Sequence, residues 1–349
     1  MRKIFDIKRY IIRDRDAMVN ALERLSSRSR GEQFLLVLNA QSQLVGTLTD
    51  GDVRRGLLSG RDVSMAVEQF MHTTPVYKYV NANDSSGASA CLNNQKDLTF
   101  LPVLNSDLTV NHITLDLKIE KNNSFALIMA GGFGKRLGCL TKSKPKALVE
   151  VNGLPLIEHT FRKLEAANFN RIFVSVHHLA NMIEDYIERS GRQKRVSIIK
   201  ESRPLGTAGA ISLLPQLPVG NLLVTNCDLI NNLDFDAIID FHIASNCVAT
   251  IAAVQHKYKV PFGVIKLDDY GDFHCIEEKP TINSYVAAGI YVFSNEVLRI
   301  ETPKSQLAMP EFLNHLREKK HKIRMFPMFE DWSDVGRPTD LEKVRRKPR

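Results

Sequence analysis

Residues 125–137 read Phe-Ala-Leu-Ile-Met-Ala-Gly-Gly-Phe-Gly-Lys-Arg-Leu. The apolar run Phe125 to Met129 has the length and composition of a buried strand. It leads straight into a loop containing Ala130, Gly131, Gly132 and Gly134. Glycine adopts positive φ without penalty and lets the backbone approach a ligand closely. Free N–H groups in such a loop can cradle phosphate oxygens. Arg136 adds a planar, permanently charged fork suited to phosphate. The spacing fits neither the G-x-x-x-x-G-K-[ST] phosphate loop nor the G-x-G-x-x-G dinucleotide fingerprint.

Downstream, strand-like and helix-like segments alternate. Leu156 to Ala167 has helical apolar spacing, Arg171–Val176 reads as a strand, and Ala180 to Glu188 as a helix. Val196–Ile199 is the next strand, Ala208 to Leu214 a helix, and Asn221–Thr225 a strand. This alternation predicts parallel strands with helices on both faces, and in such sheets ligands sit at the carboxyl ends of the strands.

Upstream, a unit repeats. Phe34-Leu35-Leu36-Val37-Leu38-Asn39 returns as Phe100-Leu101-Pro102-Val103-Leu104-Asn105. Each copy is followed by a second strand-like run, Leu44–Thr49 in one and Thr109 to Leu115 in the other. Each is preceded by a helix-like stretch, Ala17 to Leu25 and, more weakly, Ser86 to Leu92. Neither half is large enough for a sizeable core alone, so the two are expected to pack together. The polar run from Lys118 to Ser124 reads as a linker.

The chain of 349 residues leaves room for two domains of about 100–200 residues each. With 44% hydrophobic and 25% charged residues, disorder and fibrous repeats are excluded. No apolar run approaches the roughly 18 residues a membrane helix needs. The charged start, Met1-Arg2-Lys3, lacks a secretory pattern, so a cytoplasmic location is expected. Five scattered cysteines without CxxC spacing suggest neither a disulfide framework nor a thiolate zinc site. The net charge of +8 suits phosphorylated ligands. Its dispersal, without aromatic interleaving, points away from nucleic acid.

Lys144-Pro145-Lys146 precedes the apolar run Leu148–Val151, with the proline limiting where Lys146 can point. Together with the glycine loop ending in Arg136-Leu137, this resembles the sugar-1-phosphate nucleotidyltransferases. Further stretches continue the resemblance in order: Glu201 to Ala210, Asn226-Cys227-Asp228, Phe262-Gly263-Val264-Ile265, Glu277-Glu278-Lys279-Pro280, Ala288-Gly289-Ile290-Tyr291 and Trp332-Ser333-Asp334-Val335-Gly336. The resemblance implies a Rossmann-like α/β domain with a mixed central sheet over residues 124–349. It implies transfer of a nucleotidyl group from an NTP to a sugar 1-phosphate, with pyrophosphate released. By the same resemblance Asp228 and Asp334 hold Mg²⁺, while Arg136, Lys146, Lys279 and Asp228 carry the chemistry. Ala130, Gly131, Gly132, Gly134, Glu201, Gly206 and Thr207 contact the nucleotide, and Gly263, Glu278 and Gly289 the sugar. Asp228 as a helix cap and Asp334 in a structural turn are the alternative readings.

Glu201 bears on the base. A carboxylate only accepts hydrogen bonds, which suits the N1–H and N2–H₂ donors of guanine. An ion pair to Arg203 is the alternative. Leu205-Gly206-Thr207-Ala208 also resembles the mannose-1-phosphate guanylyltransferase branch, so GTP is expected, with UTP or CTP next. The first 120 residues resemble an α+β CBS domain pair, carried by Leu44 to Arg54. That resemblance implies an adenine nucleotide at Thr49 and Asp52 and a homo-oligomer. Thr49 capping a helix, with Asp52 in its first turn, is the alternative. The fused arrangement is similar to that of enzymes of bacterial surface-sugar and legionaminic-type pathways, with GDP-hexosamine or GDP-hexose as the expected product. A non-catalytic, nucleotide-sensing regulator is the competing class.

Overall fold

The computed structural model describes residues 2–26, 28, 32–80, 100–115, 124–167, 169, 171–303 and 306–346. The chain divides into two compact units, Met1–Glu120 and Lys121–Arg349.

Among the described residues, the larger unit is organised by a seven-stranded sheet. Its strands are β1 (Phe125–Met129), β2 (Arg171–Val176), β3 (Val196–Lys200), β4 (Asn221–Asn226), β5 (Ala249–Lys259), β6 (Thr281–Ser294) and β7 (Ile323–Met328). The spatial order is β3-β2-β1-β4-β6-β5-β7. Strands β3, β2, β1 and β4 run parallel. Strand β6 is antiparallel to both β4 and β5, and β7 lies parallel to β5. The sheet is thus mixed, its parallel half being the part legible as alternating strands and helices.

Alternate residues on each strand enter opposite cores. On β1, Ala126 and Ile128 join one apolar cluster, and Phe125 and Leu127 the other. Helix Leu156–Ala166 places Ile157, Phe161 and Leu164 on the first cluster, at the i, i+4, i+7 spacing of one helical face. Helix Met309–Glu318, with Pro310 in its first turn, buries Phe312 and Leu316 in the second.

Two local expectations are corrected. Residues 208–214 are not one helix but a short turn, Gly206–Gly209, followed by a 3-10 segment, Ala210–Leu213. Pro215 follows, and Leu214 is extended with ψ 125°, as a residue before proline prefers. The strand expected at 148–151 is only Glu150–Val151, because Lys146–Leu148 forms a 3-10 turn. That strand pairs with Leu154–Pro155 across Asn152 and Gly153, whose φ values are 52° and 80°. Asn-Gly is the sequence signature of such a two-residue turn.

In the smaller unit, the internal repeat appears as two similar hairpins. Phe34–Leu38 pairs antiparallel with Leu44–Thr49, and Phe100–Leu104 with Val110–Leu115. Each first strand also takes a parallel neighbour, Ile11–Arg13 in one and Lys78–Tyr79 in the other. The equivalent Phe34 and Phe100 stack with ring centroids 3.7 Å apart. Helix Met18–Ser26 matches the first upstream expectation. The second, at 86–92, and all but the last residue of the expected linker lie outside the described residues.

Thr49 caps helix Asp50–Leu58 in a full capping box with Asp52. The Thr49 hydroxyl donates to Asp52 at 2.6 Å, and the Asp52 N–H donates back to Thr49 at 3.3 Å. Arg55 takes the other carboxylate oxygen. These hydrogen bonds are those of the capping alternative.

Candidate active site

Asp228 follows β4 directly, in a turn leading to the short strand Leu229–Asn231. That strand pairs antiparallel with Trp332–Asp334, with Leu229 opposite Asp334. The Val335 N–H donates to the Asp228 carbonyl at 3.0 Å. The ladder thereby sets two carboxylates far apart in sequence side by side at the carboxyl end of a sheet strand. The Lys146 ammonium donates to Asp228 Oδ2, with only 11% of the Lys146 side chain and 16% of the Asp228 side chain exposed. Arg136 approaches from the glycine loop. A Cβ built on Gly336 would lie 3.6 Å from Asp334 Oδ1 and 3.7 Å from Arg136 Nη1.

The charges in this cluster do not balance pairwise. Asp334 reaches solvent, yet its pKa is pushed above the usual aspartate value, by burial of the carboxyl first and then by the Asp228 charge. Lys146 and Arg136 oppose that shift. Burial, with the neighbouring Asp228, likewise drives the Cys227 thiol up, so it is an inert core side chain. Asp228 Oδ1 is buried and has no hydrogen-bond partner. An orphaned carboxylate oxygen beside a second carboxylate fits a hard divalent cation. Mg²⁺ commonly takes one or two carboxylates and completes its shell with water and phosphate oxygens. Among the described residues, no group of three or more His, Cys, Asp and Glu side chains assembles.

Because the folded pKa of Asp334 is raised, its ionised form is penalised in the fold. That penalty grows as pH rises through the folded pKa and vanishes where the carboxyl is protonated. Asp334→Asn is therefore expected to raise the melting temperature of the metal-free protein at pH 7, with the gain shrinking toward pH 4. Thermal unfolding in EDTA at the two pH values checks this; equal melting at pH 7 would show that the carboxyl carries no such penalty.

A second cluster forms across β2 and the end of β3. Glu201 is buried, with its N–H on the Val176 carbonyl. The Ser175 hydroxyl donates to Glu201 Oε1, and the Leu205 N–H to Oε2 at 2.8 Å. A Cβ on Gly131 would fall 2.8 Å from Oε1, so the carboxylate faces the glycine loop across bare backbone. The Ala130 N–H is already bound to the Ser175 carbonyl. Gly134 has φ +64°, and its carbonyl accepts from the Thr141 hydroxyl at 2.9 Å. A Cβ there would meet Thr141 at 2.9 Å and Lys146 Cβ at 3.2 Å, so loop and lysine are packed together at this glycine.

Thr207 and its neighbour Ala208 have structural partners. The Thr207 hydroxyl accepts from the Met309 N–H at 2.8 Å, and the Ala208 N–H donates to the Leu307 carbonyl. Gly289 has φ +76° beside a register shift in the β5–β6 pairing, and a Cβ there would lie 2.7 Å from Asn226 Nδ2. Trp332 Nε1 donates to the adjacent Ala288 carbonyl at 2.9 Å, while its ring packs on the core, which makes it a structural residue.

Gly263 and Glu278 pair with each other in a two-stranded ribbon, Gly263–Leu267 with Phe273–Glu278, and Lys279 follows it directly. Lys279 and Glu278 are exposed and 3.6 Å apart, and Lys279 has φ +49°. Among the described residues no hydrogen bond or ion pair joins them to Asp228, Lys146 or Asp334. Residues beside these that motif reading missed are Ser175 and Thr141. Ser175 had a signal, as the one hydroxyl inside the strand Arg-Ile-Phe-Val-Ser-Val.

The model of the nucleotidyl transferase family matches residues 125–348, spanning β1, the glycine loop and both carboxylates. The chain belongs to the nucleotidyl transferase family. Among its relatives is a Sulfolobus acidocaldarius protein provisionally named mannose-1-phosphate guanyltransferase, 31% identical over 63% of this chain and 61% of that protein. Another is the Drosophila melanogaster mannose-1-phosphate guanylyltransferase catalytic subunit beta, 29% identical over 63% of this chain and 61% of its own length. The chain thus spans about three fifths of these relatives. Crystal structures of HddC from Yersinia pseudotuberculosis, one of them complexed with GMP-PN, also match this chain. The uncomplexed structure has TM-score 0.51 and 25% identity, covering 63% of this chain and 97% of HddC. No helix among the described residues is long and apolar enough to cross a membrane.

Proposed function

We propose that the larger unit transfers a guanylyl group from GTP to a sugar 1-phosphate. An oxygen of the sugar phosphate attacks the α-phosphorus of GTP. The bond from that phosphorus to the bridging oxygen of the β-phosphate breaks, and pyrophosphate leaves with the electron pair. The observation that carries this reading is the convergence of Asp228, Asp334, Lys146 and Arg136 at the end of β4. No covalent step on the protein is needed, so its work is positioning and charge stabilisation.

Asp228 and Asp334 would hold Mg²⁺, which supplies positive charge to phosphate oxygens when bound. Arg136 faces the departing pyrophosphate. Lys146, held by Asp228, neutralises charge on the reacting phosphates. Lys279 and Glu278 serve the sugar phosphate and a sugar hydroxyl from the ribbon, with Gly263 and Gly289 at the sugar side. Gly131, Gly132 and Gly134 admit the triphosphate close to backbone. Glu201, acceptor-only and facing Gly131, reads the guanine N1–H and N2–H₂ edge. The GMP-containing complex of HddC and the names of the relatives support guanine and a hexose phosphate.

Pyrophosphate release with Mg²⁺, four NTPs and hexose, hexosamine and heptose 1-phosphates tests this. The expected result is strong, magnesium-dependent release with GTP and one class of sugar phosphate. A preference for UTP or CTP would remove the base assignment. Silence from every pair would favour a nucleotide-sensing role.

A further inference from the structure

Ser175 is fully buried at 0% exposure, on the face of β2 that carries Phe173. Its register neighbours are Met129 on β1 and Ile199 on β3. These belong to, or pack against, one apolar cluster, where a hydroxyl is costly unless bonded. Its partner is Glu201 Oε1. The Leu205 N–H holds Oε2, so the carboxylate is pinned at both oxygens and cannot rotate freely. Each oxygen accepts more than one hydrogen bond. Oε1 therefore retains acceptor capacity on the atom that lies over Gly131.

We infer that Ser175 is a positioning residue for base selection: its buried hydroxyl fixes the Glu201 carboxylate in the orientation that accepts from the guanine edge. The inference rests on the guanine reading of Glu201. Ser175 does not touch the nucleotide and acts only through that carboxylate. Without the hydroxyl, Oε1 loses a donor, and the carboxylate swings about the remaining bond to Leu205.

The test compares GTP with ITP, which lacks the 2-amino group, in steady-state kinetics of wild type, Ser175→Ala, Ser175→Cys and Glu201→Gln. One hydrogen bond to a charged group corresponds to about tenfold or more in affinity. Wild type should therefore favour GTP over ITP by about that factor in kcat/KM. Ser175→Ala should raise KM for GTP by about tenfold and bring the GTP/ITP ratio near unity, with the loss in KM rather than kcat. Ser175→Cys, similar in size and a weaker donor, should fall between, and it stands in if the alanine variant does not fold.

If Glu201→Gln loses the preference while the Ser175 variants keep both KM and ratio, the role of Ser175 is overturned and the guanine reading stands. Equal losses on GTP and ITP in the Ser175 variants would mark a merely structural hydroxyl and also overturn it. If wild type shows no GTP preference and Glu201→Gln changes nothing, the guanine reading itself falls.

Discussion

Asp228→Ala is expected to lower kcat for pyrophosphate release by on the order of 10²–10³, the usual cost of removing a group that stabilises developing charge. Four consequences act together at this position. One of the two carboxylates proposed for the cation is lost. Lys146, almost buried, loses its acidic partner. The orphaned oxygen at the end of β4 disappears. The repulsion on Asp334 is also relieved, so its pKa should move down toward the ordinary aspartate range. Steady-state turnover at saturating Mg²⁺ measures the loss of kcat, and a carboxyl titration followed by NMR measures the shift at Asp334. Near-normal turnover would remove Asp228 from the catalytic set.

Gly206→Ala is expected to cost about 3 kcal/mol of stability, combining left-handed backbone strain with overpacking. At φ +79° the turn suits glycine, and a Cβ would lie 2.5 Å from the Leu307 carbonyl oxygen. That obstacle is backbone, already bound by the N–H groups of Ala208 and Gly209, and cannot turn aside as a side chain would. The turn would be pushed off the segment it docks on, and Leu205, whose N–H holds Glu201, would move with it. Urea unfolding followed by circular dichroism gives the magnitude. Gly132→Ala is the matched comparison, because its Cβ meets open space, and it should shift stability by less than about 0.5 kcal/mol. Equal stability of the two variants would contradict the docking of this turn.

The parts of the fold legible in the sequence were those decided locally. Strand Phe125–Met129 is an uninterrupted apolar run, and Arg171–Val176 is apolar apart from its first residue and Ser175, so pattern alone locates them. The repeated hairpins of the first unit are visible because a hexad recurs with one change, Leu36 in one copy and Pro102 in the other. Where two signals competed, reading failed. Ala208 to Leu214 has helical spacing, yet flanking glycines and Pro215 divide it into two short turns. Asn152-Gly153 announced a hairpin that the neighbouring apolar run obscured.

At the site, ordered motifs supplied the residue types but not their company. The meeting of Asp228 and Asp334 depends on a two-strand ladder between segments distant in sequence. No local period encodes such a pairing. The partnership of Ser175 with Glu201 needs the parallel register of β2 and β3. Glu278 and Lys279 matched their motif as well as any residues did, but they stand on a ribbon whose position no sequence spacing specifies.

Transfer passes directly between two bound substrates in the proposed reaction, and isotope exchange distinguishes this from a nucleotidyl group held on the protein. Labelled pyrophosphate is incubated with GTP, Mg²⁺ and the protein, with and without the accepting sugar 1-phosphate. Label is expected to enter GTP only when the sugar phosphate is present, because pyrophosphate leaves only when that oxygen attacks. Label entering GTP without the sugar phosphate would show a nucleotidyl group held on the protein, and no exchange under either condition would contradict transfer altogether.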